Sequence, residues 1–109
     1  MMRRLLMLCA LAAACSEYST GSTQDPPTGT AVDVQDDFFS PPARSVQVGQ
    51  SVRWTWRGGD SHNVTFADGP ASPTQRSGSF ERTFGSAGTF TYQCTVHGAA
   101  MSGSVTVTN

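Results

Sequence analysis

The chain has 109 residues, seven basic and eight acidic, with a formal net charge of −1. This length accommodates one small domain. The basic residues are all arginines and are scattered along the sequence. Because nucleic-acid binding needs a clustered excess of positive charge, DNA and RNA are excluded as partners.

Residues 1–14 have the pattern of an export signal. Arg3 and Arg4 precede an apolar run over residues 5–14, which ends in three alanines. Such a run is too short to span a bilayer, and the alternative interpretation is a buried apolar helix. Removal of these residues leaves five basic residues (7 − 2) against eight acidic ones, a net charge of 5 − 8 = −3.

Cys15 directly follows the alanines and resembles the lipidated cysteine of bacterial lipoproteins. We predict that it becomes a lipidated N-terminus, with ordinary signal cleavage as the alternative. Residues 15–30 are polar and rich in Gly, Ser, Thr and Pro, so they are predicted to form a flexible tether. The predicted location is the bacterial periplasm or cell envelope, with the lipid on Cys15 as the one contact with the membrane.

Residues 31–109 form the predicted domain, in which apolar side chains alternate with period two in short runs. Gly and Pro separate the runs, a pattern typical of strands with one buried face. The glycines and prolines of residues 68–79 allow no more than a helical turn there. We predict an all-β Greek-key sandwich or barrel of about seven to eight strands. The alternating apolar positions are Val32, Val34, Val46, Val48, Val52, Trp54, Trp56, Val64, Phe66, Phe80, Phe84, Phe90, Tyr92, Val105 and Val107.

Two pairs of adjacent like residues lie between the first two of these runs. Phe38 and Phe39 are neighbours, so at most one of them faces the core on a regular strand. Asp36 and Asp37 precede them and are interpreted as a solvated loop, with attraction of a cationic partner as the alternative.

Chemistry-bearing side chains are concentrated near the C-terminus. Cys94, His97 and Met101 lie within eight residues, at the end of one predicted strand and in the loop that follows. Two imidazoles and a thiolate with a weak axial thioether suit copper in both oxidation states and make an electron-transfer site. His62 is the only other histidine, so it is the candidate for the second imidazole. The alternative is that the cysteine and methionine are ordinary packing residues.

The order of these residues resembles a known family. Cys-x-x-His-x-x-x-Met, followed by Ser-Gly and an alternating strand, is similar to the C-terminal copper loop of the cupredoxins, such as plastocyanin, amicyanin, pseudoazurin and halocyanin. The His-Asn-Val of residues 62–64 resembles their other ligand segment. The resemblance covers residues 31–109.

The resemblance implies one type 1 copper ion. His62 and His97 would bind through imidazole nitrogen, Cys94 through sulfur, and Met101 as the long axial ligand. Asn63 would tie the two ligand loops together and supply a backbone N–H toward the thiolate. The gap between His97 and Met101 is three residues, one fewer than in plastocyanin and one more than in amicyanin.

The function implied is the carriage of single electrons by a monomer. The edge of the His97 ring, in the small apolar loop of Gly98, Ala99 and Ala100, is the predicted electron port, where redox protein partners dock. Catalysis is not expected, because copper enzymes of this fold need a second centre with more histidines. Copper storage or delivery through the same site is an alternative function, and an adhesion-type sandwich without metal is another.

Overall fold

The structure, a computed structural model, describes residues 29–109. The predicted export signal, Cys15 and most of the predicted tether therefore lie outside the described residues. Within the described part the chain forms eight strands and no helix. The strands are β1 (Ala31–Gln35), β2 (Phe38–Ser40), β3 (Ala43–Gln47), β4 (Ser51–Trp56), β5 (Thr65–Phe66), β6 (Ser79–Thr83), β7 (Gly88–Cys94) and β8 (Gly98–Thr108).

The strands form two four-stranded sheets, which confirms the predicted β-sandwich. One sheet has the order β2-β1-β4-β6 and the other the order β3-β8-β7-β5. The β1–β4 and β3–β8 pairs are parallel, and the remaining neighbours are antiparallel. Because β1 and β4 run in the same direction, the loops that follow them lie at the same end of the sandwich.

The core lies between the sheets and is built from the alternating positions. Trp54 on β4 is fully buried at its centre. Its ring centroid is 5.5 Å from that of Phe66 and 5.3 Å from that of Tyr92, both in edge-to-face geometry. Such pairs contribute about 0.5–1.5 kcal/mol beyond the burial of their apolar area. These ring contacts join the aromatic residues of the two sheets in one core.

The adjacent phenylalanines divide between core and surface as strand geometry requires. Phe39 is 2% exposed and packs in the core, whereas Phe38 is 55% exposed.

At the N-terminal edge of the described residues, Gly29 donates its N–H to the Ser45 carbonyl, and the Thr30 carbonyl accepts from the backbone N–H of Arg53.

The segment predicted to allow a helical turn, residues 68–79, contains no helix. A bridge between Ala71 and Thr65 and another between Gln75 and His62 hold it in extended form. Among the residues that the structure describes, none forms a helix long and apolar enough to cross a membrane.

Candidate metal centre

Three of the predicted ligands converge at one end of the sandwich. The Nδ1 atoms of His62 and His97 lie 3.9 Å and 3.8 Å from the Cys94 sulfur. The candidate ligand atoms of the three residues all lie within 4.8 Å of one another. The structure therefore brings together an imidazole from the β4–β5 loop, a cysteine sulfur from β7 and an imidazole from the β7–β8 loop.

The His62 backbone is held on both sides. Its N–H donates to the Gln75 carbonyl and its carbonyl accepts from the Gln75 N–H, each at 3.0 Å. The indole Nε1 of Trp56 donates to the same His62 carbonyl at 3.1 Å. The His62 side chain is fully buried, so the surrounding chain fixes the position of its ring.

Cys94 ends β7 and His97 follows one tight turn later. The N–H of His97 donates to the Cys94 carbonyl at 3.2 Å. Cys94 is fully buried on the inward face of β7, whereas the His97 side chain remains 34% exposed. The thiol is thus shielded from solvent, while one edge of the second imidazole reaches the surface.

Met101 is placed by an irregularity in the β7–β8 pairing. Gln93 pairs with Ser102, but the next residue, Cys94, pairs with Gly98. Residues 99–101 therefore form a bulge opposite the end of β7, and a bulge re-aims side chains. The Met101 side chain is buried in the same core cluster as Cys94.

Asn63 connects the two ligand loops through four hydrogen bonds. Its Oδ1 accepts from the backbone N–H of Thr95 at 3.0 Å and from the Thr65 hydroxyl at 2.8 Å. Its Nδ2 donates to the hydroxyls of Thr95 and Thr74 at 2.8 Å and 2.9 Å. Because Thr95 directly follows Cys94, this amide sets the position of one ligand loop relative to the other.

Sequence reasoning missed two residues of the site. Asp36 Oδ1 lies 3.0 Å from His62 Nε2, and Asp37 Oδ1 lies 3.0 Å from His97 Nε2. The interpretation of these aspartates as a solvated loop left out both contacts. No local signal marks them, because Asp36 and His62 are 26 residues apart and meet through the β1–β4 pairing.

The carboxylate of Asp36 is held in its ionised form. The hydrogen bond from His62, followed by those from the backbone N–H groups of Asp60 and Gly59, lowers its pKa to about 2. An ionised carboxylate can only accept hydrogen bonds, so the Nε2 of His62 carries the hydrogen. The Nδ1 of the same ring faces the Cys94 sulfur at 3.9 Å.

Two imidazole nitrogens and one cysteine sulfur form a borderline-to-soft donor set. Such a set excludes the hard cations Mg²⁺ and Ca²⁺, which prefer oxygen ligands, and suits copper or zinc. Two histidines and one cysteine in a trigonal arrangement beside a thioether are typical of copper electron-transfer sites.

Comparison with known proteins decides between these metals at the level of the family. The family model of copper-binding proteins of the plastocyanin/azurin family matches residues 28–108. The chain belongs to this family. It is therefore a cupredoxin, as its ligand spacing predicted.

Solved structures agree with this assignment. An oxidised variant of amicyanin is similar to this cupredoxin with 32% sequence identity and a TM-score of 0.66, covering 72% of this chain and 80% of that one. The reduced Cu(I) form at pH 4 of another amicyanin variant has 33% identity, the same TM-score of 0.66 and the same coverage of 72% and 80%. A purple cupredoxin from Nitrosopumilus maritimus has 25% identity and a TM-score of 0.65, covering 73% of this chain and 100% of that one. No curated protein matches.

Proposed function

We propose that this cupredoxin holds one type 1 copper ion through His62, Cys94, His97 and Met101 and carries single electrons between redox partners. The observation that carries the proposal is the convergence of two imidazole Nδ1 atoms on one buried cysteine sulfur, at 3.9 Å and 3.8 Å. Copper bound by such a donor set supplies a one-electron couple between Cu(I) and Cu(II).

The chain contributes a ligand frame that resists movement. His62 is held by paired hydrogen bonds to Gln75 and by the Trp56 indole, and Asn63 ties its loop to Thr95. Since ligands held in this way move little when the charge of the metal changes, the reorganisation that accompanies electron transfer stays small.

The proposed electron port is the exposed edge of His97. Ala99 and Ala100 beside it are exposed, and Val96 is an exposed apolar residue on the other side. A small apolar surface of this kind suits the brief encounters of redox proteins, whose interfaces are small. We propose that partners dock here on a monomer, that no nucleic acid is involved, and that the chain has no catalytic activity of its own.

Export and lipidation at Cys15 remain part of the proposal. They rest on the sequence of residues 1–15, which the structure does not describe. Labelling of expressing bacteria with a radioactive fatty acid tests them, with Cys15→Ser as the control. Incorporation into the natural chain alone supports lipidation, and equal absence of label from both chains supports simple cleavage.

The decisive experiment for the copper site is a visible spectrum of the chain loaded with Cu(II), beside Cys94→Ser. We expect an intense orange-red absorption from thiolate-to-copper charge transfer, absent from the control. Voltammetry of the same sample should give a reversible one-electron wave. Failure to observe the thiolate band would refute the type 1 site, whereas a band with rapid transfer of copper to a competing apo-protein and no electron exchange would favour copper delivery.

A further inference from the structure

The turn between β1 and β2 contacts both histidines of the metal centre. Gln35 pairs with Phe38, so the turn consists of the two residues Asp36 and Asp37. Their carboxylates lie 3.0 Å from the Nε2 atoms of His62 and His97, respectively. Each contact is on the ring nitrogen opposite the one that faces the Cys94 sulfur.

We infer that Asp36 and Asp37 are positioning residues of the metal centre, which orient both imidazoles from behind and place negative charge next to each. This inference rests on the proposed function. A carboxylate that accepts the far N–H of a ligating imidazole fixes its tautomer and ring orientation and raises its basicity. One two-residue turn thus controls two ligands that are 35 residues apart in the sequence (97 − 62).

The chain builds a defined place for the Asp36 carboxylate. Its Oδ2 accepts from the backbone N–H of Gly59 at 3.1 Å, and its Oδ1 accepts from that of Asp60 at 3.0 Å. Gly58 passes directly beside it: a Cβ there would collide with the carboxylate and lie 2.8 Å from the Asp36 backbone nitrogen. The carboxylate is therefore positioned by the β4–β5 loop, the same loop that carries His62.

Asp37 reaches His97 because of an uncommon backbone conformation. Its φ is 75°, in the left-handed region, which aspartate tolerates better than most residues. The Asp37 side chain is 70% exposed, against 43% for Asp36. The outer carboxylate therefore contacts the partly exposed ring of His97 at its Nε2 atom, and the inner one contacts the buried ring of His62.

The charges have a predictable effect on the two oxidation states. Negative charge near the ligands stabilises Cu(II), the more positive ion, more than Cu(I). Loss of an outer partner of a ligating histidine typically weakens metal affinity 10–100-fold. If the affinity for Cu(II) falls tenfold and the affinity for Cu(I) is unchanged, the reduction potential rises by about 59 mV, because a tenfold change in an equilibrium constant corresponds to about 59 mV for a one-electron couple.

The test compares the potentials of three variants of the full chain. Asp37→Gly removes the outer carboxylate without backbone strain, because glycine readily adopts a φ of 75°. Asp36→Asn removes the inner charge at constant size. Asp33→Asn is the matched control, since it removes one charge from the same hairpin but from a carboxylate that pairs with Arg57. We expect the first two to raise the potential by several times the shift of the control, and equal shifts in all three would overturn the inference.

A second readout needs no metal. In the metal-free natural chain, nitrogen NMR shifts should show both imidazoles with the hydrogen on Nε2, and Asp37→Gly should release His97 to a mixture of tautomers while His62 stays fixed. If His97 keeps the same tautomer in Asp37→Gly, the positioning role of Asp37 is refuted. This result is independent of the copper spectrum, so failure of the type 1 site and failure of the positioning role are distinguishable.

Discussion

Replacement of Asn63 by alanine should destabilise the protein by more than the loss of one hydrogen bond would. The Asn63 side chain makes four hydrogen bonds of 2.8–3.0 Å and is almost fully buried. Each hydrogen bond contributes a net of about 0.5–1.5 kcal/mol, and part of the loss is recovered because the threonine hydroxyls become free to bond to water. We therefore expect the free energy of unfolding to fall by about 2–4 kcal/mol. A domain of this size is stable by only about 4–12 kcal/mol, so a large share would be lost.

The assay is urea denaturation of the metal-free protein, followed by the fluorescence of the buried Trp54 and Trp56. The midpoint should fall while the slope of free energy against urea stays constant, which indicates a change in stability rather than in the surface exposed on unfolding. Thr74→Val is the matched control, because it removes only one of the four bonds and should lose about 1 kcal/mol. If Asn63→Ala loses no more than Thr74→Val, the amide does not connect the ligand loops as described.

Three further predictions concern the sandwich itself. The Arg82 guanidinium donates two hydrogen bonds to Asp68 and lies 4.4–5.0 Å from three aromatic ring centroids. In urea denaturation, Arg82→Ala should therefore lower the free energy of unfolding by about 2–3 kcal/mol. The control is Arg53→Ala, whose exposed ion pair contributes about 0–1 kcal/mol, and an equally small loss for Arg82→Ala would contradict the prediction. Burial raises the pKa of Tyr92 from 10.0 to about 12, so only the unfolded state ionises readily between these values and stability should be lost as pH rises from 10 to 12. Thermal denaturation over this pH range should show a smaller loss of stability for Tyr92→Phe than for the natural chain. An equal loss in both proteins would argue against the effect. A Cβ on Gly103 would lie 2.5 Å from the Tyr92 ring and 2.8 Å from a backbone carbonyl oxygen. Gly103→Ala should therefore lower the free energy of unfolding by about 1–3 kcal/mol and lower the urea midpoint accordingly. An unchanged midpoint would show that the sheet moves to make room for the added methyl group.

The fold was predictable because most strands have one buried face. Val32 and Val34 on β1, and Val105 and Val107 on β8, alternate with more exposed neighbours in both sequence and structure. The period of two therefore indicated the strands directly. The alternation of Val64 and Phe66 predicted a short run here, and β5 has only two residues; its place in the sheet is set by pairing with β7.

The candidate site was predictable to the extent that it is local in sequence. Cys94, His97 and Met101 lie on one strand–loop–strand unit, and His62 was found because the chain has only two histidines. Asp36 and Asp37 were not predictable as part of the site. Their contacts depend on parallel pairing of strands separated by two other strands in the sequence, and nothing in the local pattern marks that pairing.

The bulge at residues 99–101 separates the geometry of the copper loop from the register of the sheet. Pairing of β7 with β8 continues from Gln93 and Ser102 to Gly88 and Val107, whatever the path of the chain between His97 and Ser102. A residue inserted or deleted among positions 98–101 therefore changes where the Met101 sulfur lies, while Val105 and Val107 of β8 keep their place in the core. The length of this loop can accordingly vary, and with it the properties of the centre, while the sandwich that holds the other ligands stays the same.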